Sequence, residues 1–302
     1  MLPKRLQKGD TIGVIAPSDP ITGEKKEELL QAKAKVEKDG FVVKFSDHIF
    51  SNTLGYSATA KERAEDLNQM FADPTIKMVW CARGGQNCNS LFDEVDFECI
   101  RQNPKIFCGY SDITSLSNAI YAKTGLVTFS GTNFKTIATD ETDYSYEETK
   151  KRFIEGSLAL GQNEEYQVIK EGVVEGILVG GNLSLTRGLV SGKYALDFQD
   201  KILFLEELSL ESGPALVSNF LYYMKKNGVF DHIRGLWLGF YDNPIPLEKI
   251  VQDVLGTEYT FPIVKCNHFG HTEKKTVIPI GTRARIDTRK KEAVELIEAC
   301  VE

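Results

Sequence analysis

The stretch KIFCGYSDIT (residues 105–114) places a single serine between an apolar run and a helical pattern. The apolar run predicts a β-strand, and residues 115–122 predict a helix. A strand that turns sharply into a helix can expose a serine hydroxyl beside free helical N–H groups, as in a nucleophile elbow. The usual G-x-S-x-G pattern is incomplete because Ile113 replaces its second glycine. Helix capping by Ser111 or Asp112 is therefore an alternative explanation.

Strand-like and helical patterns alternate through the first half of the chain. TIGVIA (11–16), FVVKF (41–45) and IKMVWCA (76–82) predict strands, separated by helices over residues 24–39 and from a capping box at Thr59. The alternation indicates βαβ units and a mostly parallel sheet. Ligands gather at the carboxyl ends of such strands, where both Ser111 and the Arg83-Gly84-Gly85 stretch are expected.

The length of 302 residues favours two domains. We expect residues 1–155 to form a Rossmann-like α/β domain with a parallel sheet, which carries the candidate nucleophile. Residues 156–170 are predicted as a linker. Residues 171–302 contain fewer helical patterns and are expected to form a smaller, β-rich α+β domain. The last segment, RKKEAVELIEACVE (289–302), is compatible with either a helix or a paired strand.

Bulk composition narrows the function classes. Apolar residues make up 42% of the chain and charged residues 26%, as in globular proteins. The net charge is -7 and the basic residues are scattered, which argues against nucleic acid as a partner. No apolar stretch suits a signal sequence or a membrane span, so we expect a cytoplasmic protein without a membrane partner. The six cysteines form no CxxC pair and are expected to be reduced and mostly buried.

A serine nucleophile needs a base, and the chain has four histidines. His48 and His232 occupy polar segments and have ordinary surface explanations. His268 and His271 share the stretch NHFGHT (267–272), whose HxxH spacing also occurs at metal sites. Gly270 and the flanking strand patterns predict a loop there, so we expect no metal. A loop histidine that follows a strand is well placed to reach a serine in another domain.

The third member of a serine triad is a carboxylate that orients the histidine. Glu206 and Glu207 end the strand pattern KILFLEE (201–207). We expect one of them to lie at the solvated end of the strand and the other to reach a histidine. The residue types alone do not decide between the two.

Paired glycines follow Arg83 and allow the backbone to approach a ligand closely. The N–H of Gly85 is a candidate oxyanion donor, beside the N–H of Asp112. Arg83, Gly84 and Asn182 are candidate substrate-binding residues. For Arg83, an ion pair within the protein is an equally good explanation. Since these glycines form neither a P-loop nor G-x-G-x-x-G, nothing indicates a dinucleotide cofactor.

Together these residues resemble the serine LD-carboxypeptidase family, which includes muramoyltetrapeptide carboxypeptidases and microcin C immunity peptidases. The stretches that carry the resemblance are KGDTIGVIAPS (8–18), ARGGQNCNSLFDEVDF (82–97), PKIFCGYSDITSL (104–116), GILVGGNLSL (176–185), KILFLEE, FGHT (269–272) and VIPIGTRARID (277–287). The resemblance implies a triad of Ser111 as nucleophile, Glu206 as orienting carboxylate and His271 as base. It also implies an oxyanion hole of Gly85 and Asp112, a triad assembled across a domain cleft, and a homodimer.

The activity implied is acyl transfer without metal or cofactor, which releases the terminal D-alanine of cytoplasmic murein peptides. An alternative is the immunity branch, which cleaves the amide of a peptidyl- or aminoacyl-nucleotide. That branch stacks the nucleobase of its substrate on a tryptophan in a loop, whereas Trp80 and Trp237 are expected in the core here. Nucleotide stacking would then depend on the candidate rings Tyr144, Tyr146 and Tyr166. A second alternative is a non-catalytic two-domain ligand-binding protein.

Overall fold

The computed structural model describes residues 1–53, 55–161 and 165–302. Within these ranges the strands are β1 (Thr11–Ile15), β2 (Val42–Phe45), β3 (Ile76–Cys81), β4 (Ile106–Gly109), β5 (Thr128–Ser130), β6 (Gln167–Lys170), β7 (Val173–Asn182), β8 (Lys201–Glu206), β9 (Gly235–Leu238), β10 (Ile263–Lys265), β11 (Ile278–Ile280), β12 (Arg283–Asp287) and β13 (Val294–Leu296). The α-helices are α1 (Glu24–Lys38), α2 (Ala60–Ala72), α3 (Phe97–Gln102), α4 (Ile113–Thr124), α5 (Tyr144–Lys150), α6 (Leu183–Arg187), α7 (Pro214–Lys226), α8 (Val229–His232) and α9 (Leu247–Leu255).

The first sheet has the strand order β11-β5-β4-β3-β1-β2. Its strands β1 to β5 are parallel and are joined through helices, which confirms the predicted α/β architecture. The capping box predicted at Thr59 is present and begins α2: the Thr59 side chain accepts from the Glu62 N–H, and Glu62 accepts from the Thr59 N–H. Helix α4 begins at Ile113, two residues before the predicted start, so it follows β4 almost at once. Ser111 lies in this short connection.

The second sheet has the strand order β13-β12-β7-β8-β9-β10-β6. The four strands β7 to β10 run parallel at its centre, and antiparallel strands extend it on both sides. Residues of the last segment form β13, which pairs with β12, so the paired strand is the correct alternative for that segment. The second half of the chain is therefore rich in β-strands, as the sequence predicted. The carboxyl edge of the second sheet presents Asn182 at the end of β7 and Glu206 at the end of β8.

The two halves of the chain are interlocked. Strand β11 belongs to the second half by sequence but pairs antiparallel with β5 in the first sheet. The buried Cys300 and Val301 near the carboxyl terminus also belong to the hydrophobic core of the first sheet. Part of the predicted linker forms β6, which pairs with β10, and residues 162–164 of that linker lie outside the described residues. The relative position of the two sheets therefore depends on contacts from both halves.

Both tryptophans and most of the cysteines lie in the hydrophobic core. Trp80 and Trp237 are 1% and 0% exposed, which confirms that both tryptophans are core residues. All six cysteines are free thiols, and five of them are buried. In the described part of the chain, no helix combines the length and the apolar character needed to cross a membrane.

Asn118 joins α4 of the first half to β7 of the second. Its side chain is fully buried, and its amide nitrogen donates to the carbonyls of Thr114 and Gly180, each at 2.8 Å. Its amide oxygen accepts from the Gly180 N–H at 3.2 Å. Both backbone groups of Gly180 are thus satisfied by one side chain, at the contact between the helix of the candidate nucleophile and the second sheet.

We predict that Asn118→Ala lowers the free energy of unfolding by roughly 3 kcal/mol, because it leaves a buried donor and a buried acceptor without partners. Urea denaturation followed by circular dichroism measures the change. Asn227→Ala is the matched control, because Asn227 also donates to a carbonyl, that of Tyr223, but in an exposed position. We expect the control to cost less than about 0.5 kcal/mol. Equal losses in the two variants would contradict the proposed role of Asn118.

Candidate active site

Ser111 occupies a sharp turn between β4 and α4. Its φ angle is 65°, in the left-handed region that residues other than glycine rarely adopt. A conformation of this kind costs free energy and is often found at functional sites. The turn lifts the hydroxyl away from its own strand and places it next to the amino end of α4, whose first N–H groups have no helical acceptor.

The loop after β3 lies directly against this turn. A Cβ atom on Gly84 would lie 2.9 Å from the Cβ and 3.1 Å from the Oγ of Ser111, so a larger residue does not fit there. This contact brings the Gly84-Gly85 backbone beside the Ser111 hydroxyl. The structure therefore brings together the two peptide segments that contain the candidate oxyanion donors, Gly85 and Asp112.

The imidazole of His271 connects Ser111 to the second sheet. Its Nε2 atom is 3.1 Å from Ser111 Oγ, and its Nδ1 atom is 2.7 Å from Glu206 Oε2. The backbone N–H of His271 also donates to Glu206 Oε2, at 3.1 Å. Gly270, with φ of 94°, allows this approach, because a Cβ atom there would lie 2.4 Å from the same carboxylate oxygen. Such an arrangement can take a proton from the serine and stabilise the imidazolium that results.

Glu206 and Glu207 point to different surroundings. Glu206 faces His271, whereas the Glu207 carboxylate accepts from the backbone N–H groups of Ser184 and Leu208, each at 2.9 Å. The expectation that one of the pair is solvated at the strand end is wrong, since the two are 2% and 1% exposed. Glu207 is buried because the chain continues past β8, where its N–H bonds to the Phe240 carbonyl, and α6 covers it.

Asn182 lies behind the two glutamates. It is 3% exposed, and its amide nitrogen is 3.3 Å from Glu206 Oε1 and 3.1 Å from Glu207 Oε1. Its amide oxygen caps α6 by accepting from the Leu185 N–H. These bonds occupy the side chain, so the expectation that Asn182 contacts substrate gives way to a supporting position behind the carboxylates.

The Asp112 side chain ties three loops together beneath the serine. Its buried carboxylate accepts from the Ser18 hydroxyl and from the Cys88 N–H, the latter at 2.7 Å. Burial raises the pKa of this carboxyl, although these hydrogen bonds oppose the shift. The bonds hold the loop after β1 and the glycine loop against the start of α4. The side chain thus has a structural position, whereas only the backbone N–H of Asp112 is a candidate donor to substrate.

A cleft of about 260 Å³ opens over Ser111 and His271. It is lined by Arg83, Gly84 and Gly85, which the sequence singled out, and by Tyr110, Asn133, Lys135, Leu208 and Glu211, which it did not. Arg83 pairs with Asp19 at 3.1 Å, so the ion pair expected as its alternative is present, yet the side chain still borders the cleft. Lys135 follows β5, the neighbour of β4 in the first sheet. Its position after the end of a parallel strand could have indicated that it lies near the ligand.

The other candidate rings and histidines lie elsewhere. His48 bonds to Asp66 at 2.8 Å, and His232 bonds to Gln199 at 3.0 Å. His268 is 1% exposed and packs against Tyr166, so it does not share the surroundings of His271. Among residues 1–53, 55–161 and 165–302, no cluster of three or more His, Cys, Asp or Glu side chains could hold a metal ion.

The tyrosines considered for nucleotide stacking are not part of the cleft lining. Tyr146 packs against Trp80 and Tyr166 packs against Trp237, with ring centroids 6.5 and 6.3 Å apart. The cleft is lined instead by Tyr110, whose ring lies 5.2 Å from the His271 ring. The sequence did not indicate this residue, because its position before the serine gives no hint of where its ring points.

Charges on both sides of the cleft act on His271. Burial lowers the pKa of its imidazole, but the charge and hydrogen bond of Glu206 and the charge of Glu207 outweigh burial and raise it above its ordinary value. Lys275 acts in the opposite direction. It is 4% exposed, its Nζ lies 5.0 Å from the Tyr110 ring centroid, and burial lowers its own pKa to about 8. The imidazole is therefore held between opposing charges.

Comparisons with known proteins identify both halves of the chain. A family model described as the LD-carboxypeptidase N-terminal domain matches residues 12–131, and one described as the C-terminal domain of the same family matches residues 175–286. A probable murein peptide carboxypeptidase of Bacillus subtilis (strain 168) is 36% identical, with 99% of this chain and 95% of the relative covered. The microcin C7 self-immunity protein MccF of Escherichia coli is 28% identical, with 95% and 93% covered. A solved structure of MccF in complex with glutamyl sulfamoyl guanosine has a TM-score of 0.91 and 26% identity, covering 100% of this chain and 99% of that one.

We predict opposite shifts of the His271 pKa in two charge variants, measured by NMR titration of the imidazole in the Ser111→Ala background. Glu207→Gln removes a negative charge that favours the protonated ring, so the pKa falls. Lys275→Met removes a positive charge that disfavours it, so the pKa rises. Lys274→Met is the matched control, because Lys274 is exposed and water screens its charge. Shifts of the same sign in the two variants would show that charge is not the cause.

Proposed function

The chain belongs to the LD-carboxypeptidase family and is a serine peptidase, and we propose that it releases the terminal D-alanine of murein peptides by cleaving an L,D-amide bond. The observation that carries the catalytic part of this proposal is the continuous hydrogen-bonded series from Ser111 through His271 to Glu206. The 36% identity to a probable murein peptide carboxypeptidase supports the choice of substrate.

In the first step, His271 Nε2 takes the proton of Ser111 Oγ as that oxygen attacks the carbonyl carbon of the scissile amide. Glu206 accepts a hydrogen bond from the Nδ1–H group and thereby fixes the tautomer in which Nε2 can accept the serine proton. The negative carboxylate also stabilises the imidazolium that forms. A tetrahedral intermediate results, with its negative charge on the former carbonyl oxygen.

That oxygen needs hydrogen-bond donors where the charge develops. The N–H groups of Gly85 and Asp112 are proposed for this role, because the glycine loop lies against Ser111 and Asp112 is the N-cap residue of α4. The same His271 proton then passes to the leaving nitrogen, the C–N bond breaks, and D-alanine departs as the free amine. The acyl group remains esterified to Ser111.

Water completes the reaction in a second acyl transfer that uses the same imidazole. His271 Nε2 takes a proton from the attacking water, the second tetrahedral intermediate forms, and its collapse returns the proton to Ser111 Oγ as the acid is released. Each proton in the cycle is transferred through one imidazole, so the distance from Nε2 to the serine oxygen controls both halves of the reaction.

A carboxypeptidase must also hold the terminal carboxylate of its substrate. Arg83 and Lys135 are the cationic side chains of the cleft lining, and they pair with Asp19 and Glu28. We propose that these ion pairs orient the two cations, and that a substrate carboxylate competes for them at the mouth of the cleft. This assigns the leaving residue to the side of the cleft formed by the first sheet.

A second candidate is the hydrolysis of an aminoacyl- or peptidyl-nucleotide amide. It is favoured by the similarity to MccF, whose solved structure holds glutamyl sulfamoyl guanosine. The two candidates share the serine chemistry and differ only in the leaving group. The non-catalytic binding protein considered from the sequence is set aside, because the family makes this chain a serine peptidase.

We predict that the protein releases D-alanine from a murein tetrapeptide faster than it cleaves an aspartyl sulfamoyl adenosine analogue. Amino-acid analysis and liquid chromatography measure the two reactions side by side at equal substrate concentrations. Ser111→Ala is the control and should remove both activities. Preference for the nucleotide analogue would overturn the murein assignment and leave the triad intact, whereas full activity of Ser111→Ala would overturn the triad.

We predict that Glu206→Gln lowers kcat by about a thousandfold or more, because the histidine loses the charge that stabilises its protonated form. Glu207→Gln is the matched control, since it makes the same change one residue along in an equally buried position. The control should retain activity within about tenfold, because Glu207 contacts backbone N–H groups rather than the imidazole. The reverse result, with Glu207→Gln inactive, would assign the orienting role to the other carboxylate.

A further inference from the structure

A second cavity lies between the two halves of the chain, away from the cleft over Ser111 and His271, which we call the catalytic cleft. The volume of this second cavity is about 430 Å³, and among the described residues its lining shares none with the lining of the catalytic cleft. The polar side chains that matter to it are Asn89 and Asp93 from the first half and Ser184, Arg187 and Lys193 from the second. We call it the Arg187 pocket.

The Arg187 side chain is half-buried and is held by aromatic rings. Its guanidinium lies over two aromatic rings, 4.6 Å from the Phe220 centroid and 5.6 Å from the Tyr223 centroid. Its Nε atom is buried without a hydrogen-bond partner, and within the described residues the guanidinium forms no ion pair. Stacking fixes the plane of the guanidinium and leaves its N–H groups free for an acceptor.

The remaining charges of the pocket neutralise each other. Lys193 pairs with Asp93 at 2.7 Å, and the Tyr194 hydroxyl donates to the Phe92 carbonyl at 2.8 Å, so the wall of the pocket is joined across the two halves. Arg187 therefore gives the lining one uncompensated positive charge, although the whole chain carries a net charge of -7. A half-buried charge without a partner is costly unless a ligand supplies one.

We propose that the Arg187 pocket binds a small anion, a carboxylate or a phosphate group, through paired hydrogen bonds from the guanidinium. A planar fork with free donors matches two oxygens of either group. Asn89 and Ser184 border the same space and offer further polar contacts. The anion would lie between the two halves of the chain, one helical turn from the candidate nucleophile, since Ser115 of α4 also lines the pocket.

The occupied pocket would contact segments that support the catalytic residues. Ser184 provides the N–H that binds the Glu207 carboxylate at 2.9 Å, and Asn89 follows the loop that rests against Ser111. Binding at this site is independent of the reaction proposed above, because neither Arg187 nor its aromatic neighbours belong to the catalytic cleft.

The experiment is isothermal titration calorimetry of the full chain with sodium phosphate and, separately, sodium succinate, at ionic strength held constant with sodium chloride. We expect saturable binding of at least one anion, with one site per chain that depends on Arg187. Arg187→Met should weaken that binding tenfold or more. Arg234→Met is the matched control, because Arg234 lines a different cavity, of about 610 Å³, and pairs there with Asp200. It should bind as the unmodified protein does.

Two calorimetric results would overturn the proposal. One is the absence of saturable binding of both anions. The other is binding that Arg187→Met leaves unchanged; loss of that binding in Arg83→Met would then place the anion in the cleft over Ser111. If Arg187→Met does not fold, crystals of the unmodified protein soaked in selenate provide the test. Anomalous density at the guanidinium supports the site, and its absence there overturns it.

Discussion

The rest of the structure depends on two hydrogen bonds, which join the imidazole of His271 to Ser111 and to Glu206. One ring nitrogen lies 3.1 Å from Ser111, in the turn after a strand of the first sheet, and the other lies 2.7 Å from Glu206, which ends a strand of the second sheet. Hydrogen bonds weaken steeply beyond about 3.5 Å, so a small displacement of one sheet against the other would break the series. The fold must therefore hold the two sheets in a fixed position relative to each other.

Several contacts fix this relative position. Strand β11 leaves the second half to pair with β5, and the carboxyl-terminal residues Cys300 and Val301 return to the first core. Asn118 satisfies both backbone groups of Gly180 across the same boundary. Within the site, buried carboxylates require donors, and Asn182 supplies its amide to both Glu206 and Glu207. The polar atoms behind the imidazole are thus bound from several directions, which limits the positions that the ring can take.

Charge is distributed unevenly in this acidic chain. In the candidate catalytic cleft Arg83 and Lys135 each have a carboxylate partner, so these cations are oriented in advance and their charge is partly compensated. In the Arg187 pocket the guanidinium is oriented by aromatic rings instead, and its charge remains available. Opposing charges also surround His271, where two glutamates favour the protonated ring and Lys275 disfavours it. A general base must lose its proton near neutral pH, so this balance matters for the proposed reaction.

The sequence by itself determined the elements of the first sheet, because apolar runs bounded by turn residues and a capping box at Thr59 are local signals. The residues also singled out Ser111 and confined the candidate base to the stretch with His268 and His271, whereas the choice of His271 came from the family resemblance. The sequence did not indicate the parallel centre of the second sheet, the exchange of β11, or the cleft residues Tyr110 and Lys135, because these depend on contacts between distant segments. The residue types left the choice between Glu206 and Glu207 open, and only the family resemblance favoured Glu206. The tertiary structure places Glu206 against the imidazole and Glu207 against the start of α6. Successive residues of an extended chain point to opposite sides, and only the position of the loop after β10, whose Phe269 carbonyl accepts from the Phe240 N–H, determines which side meets His271.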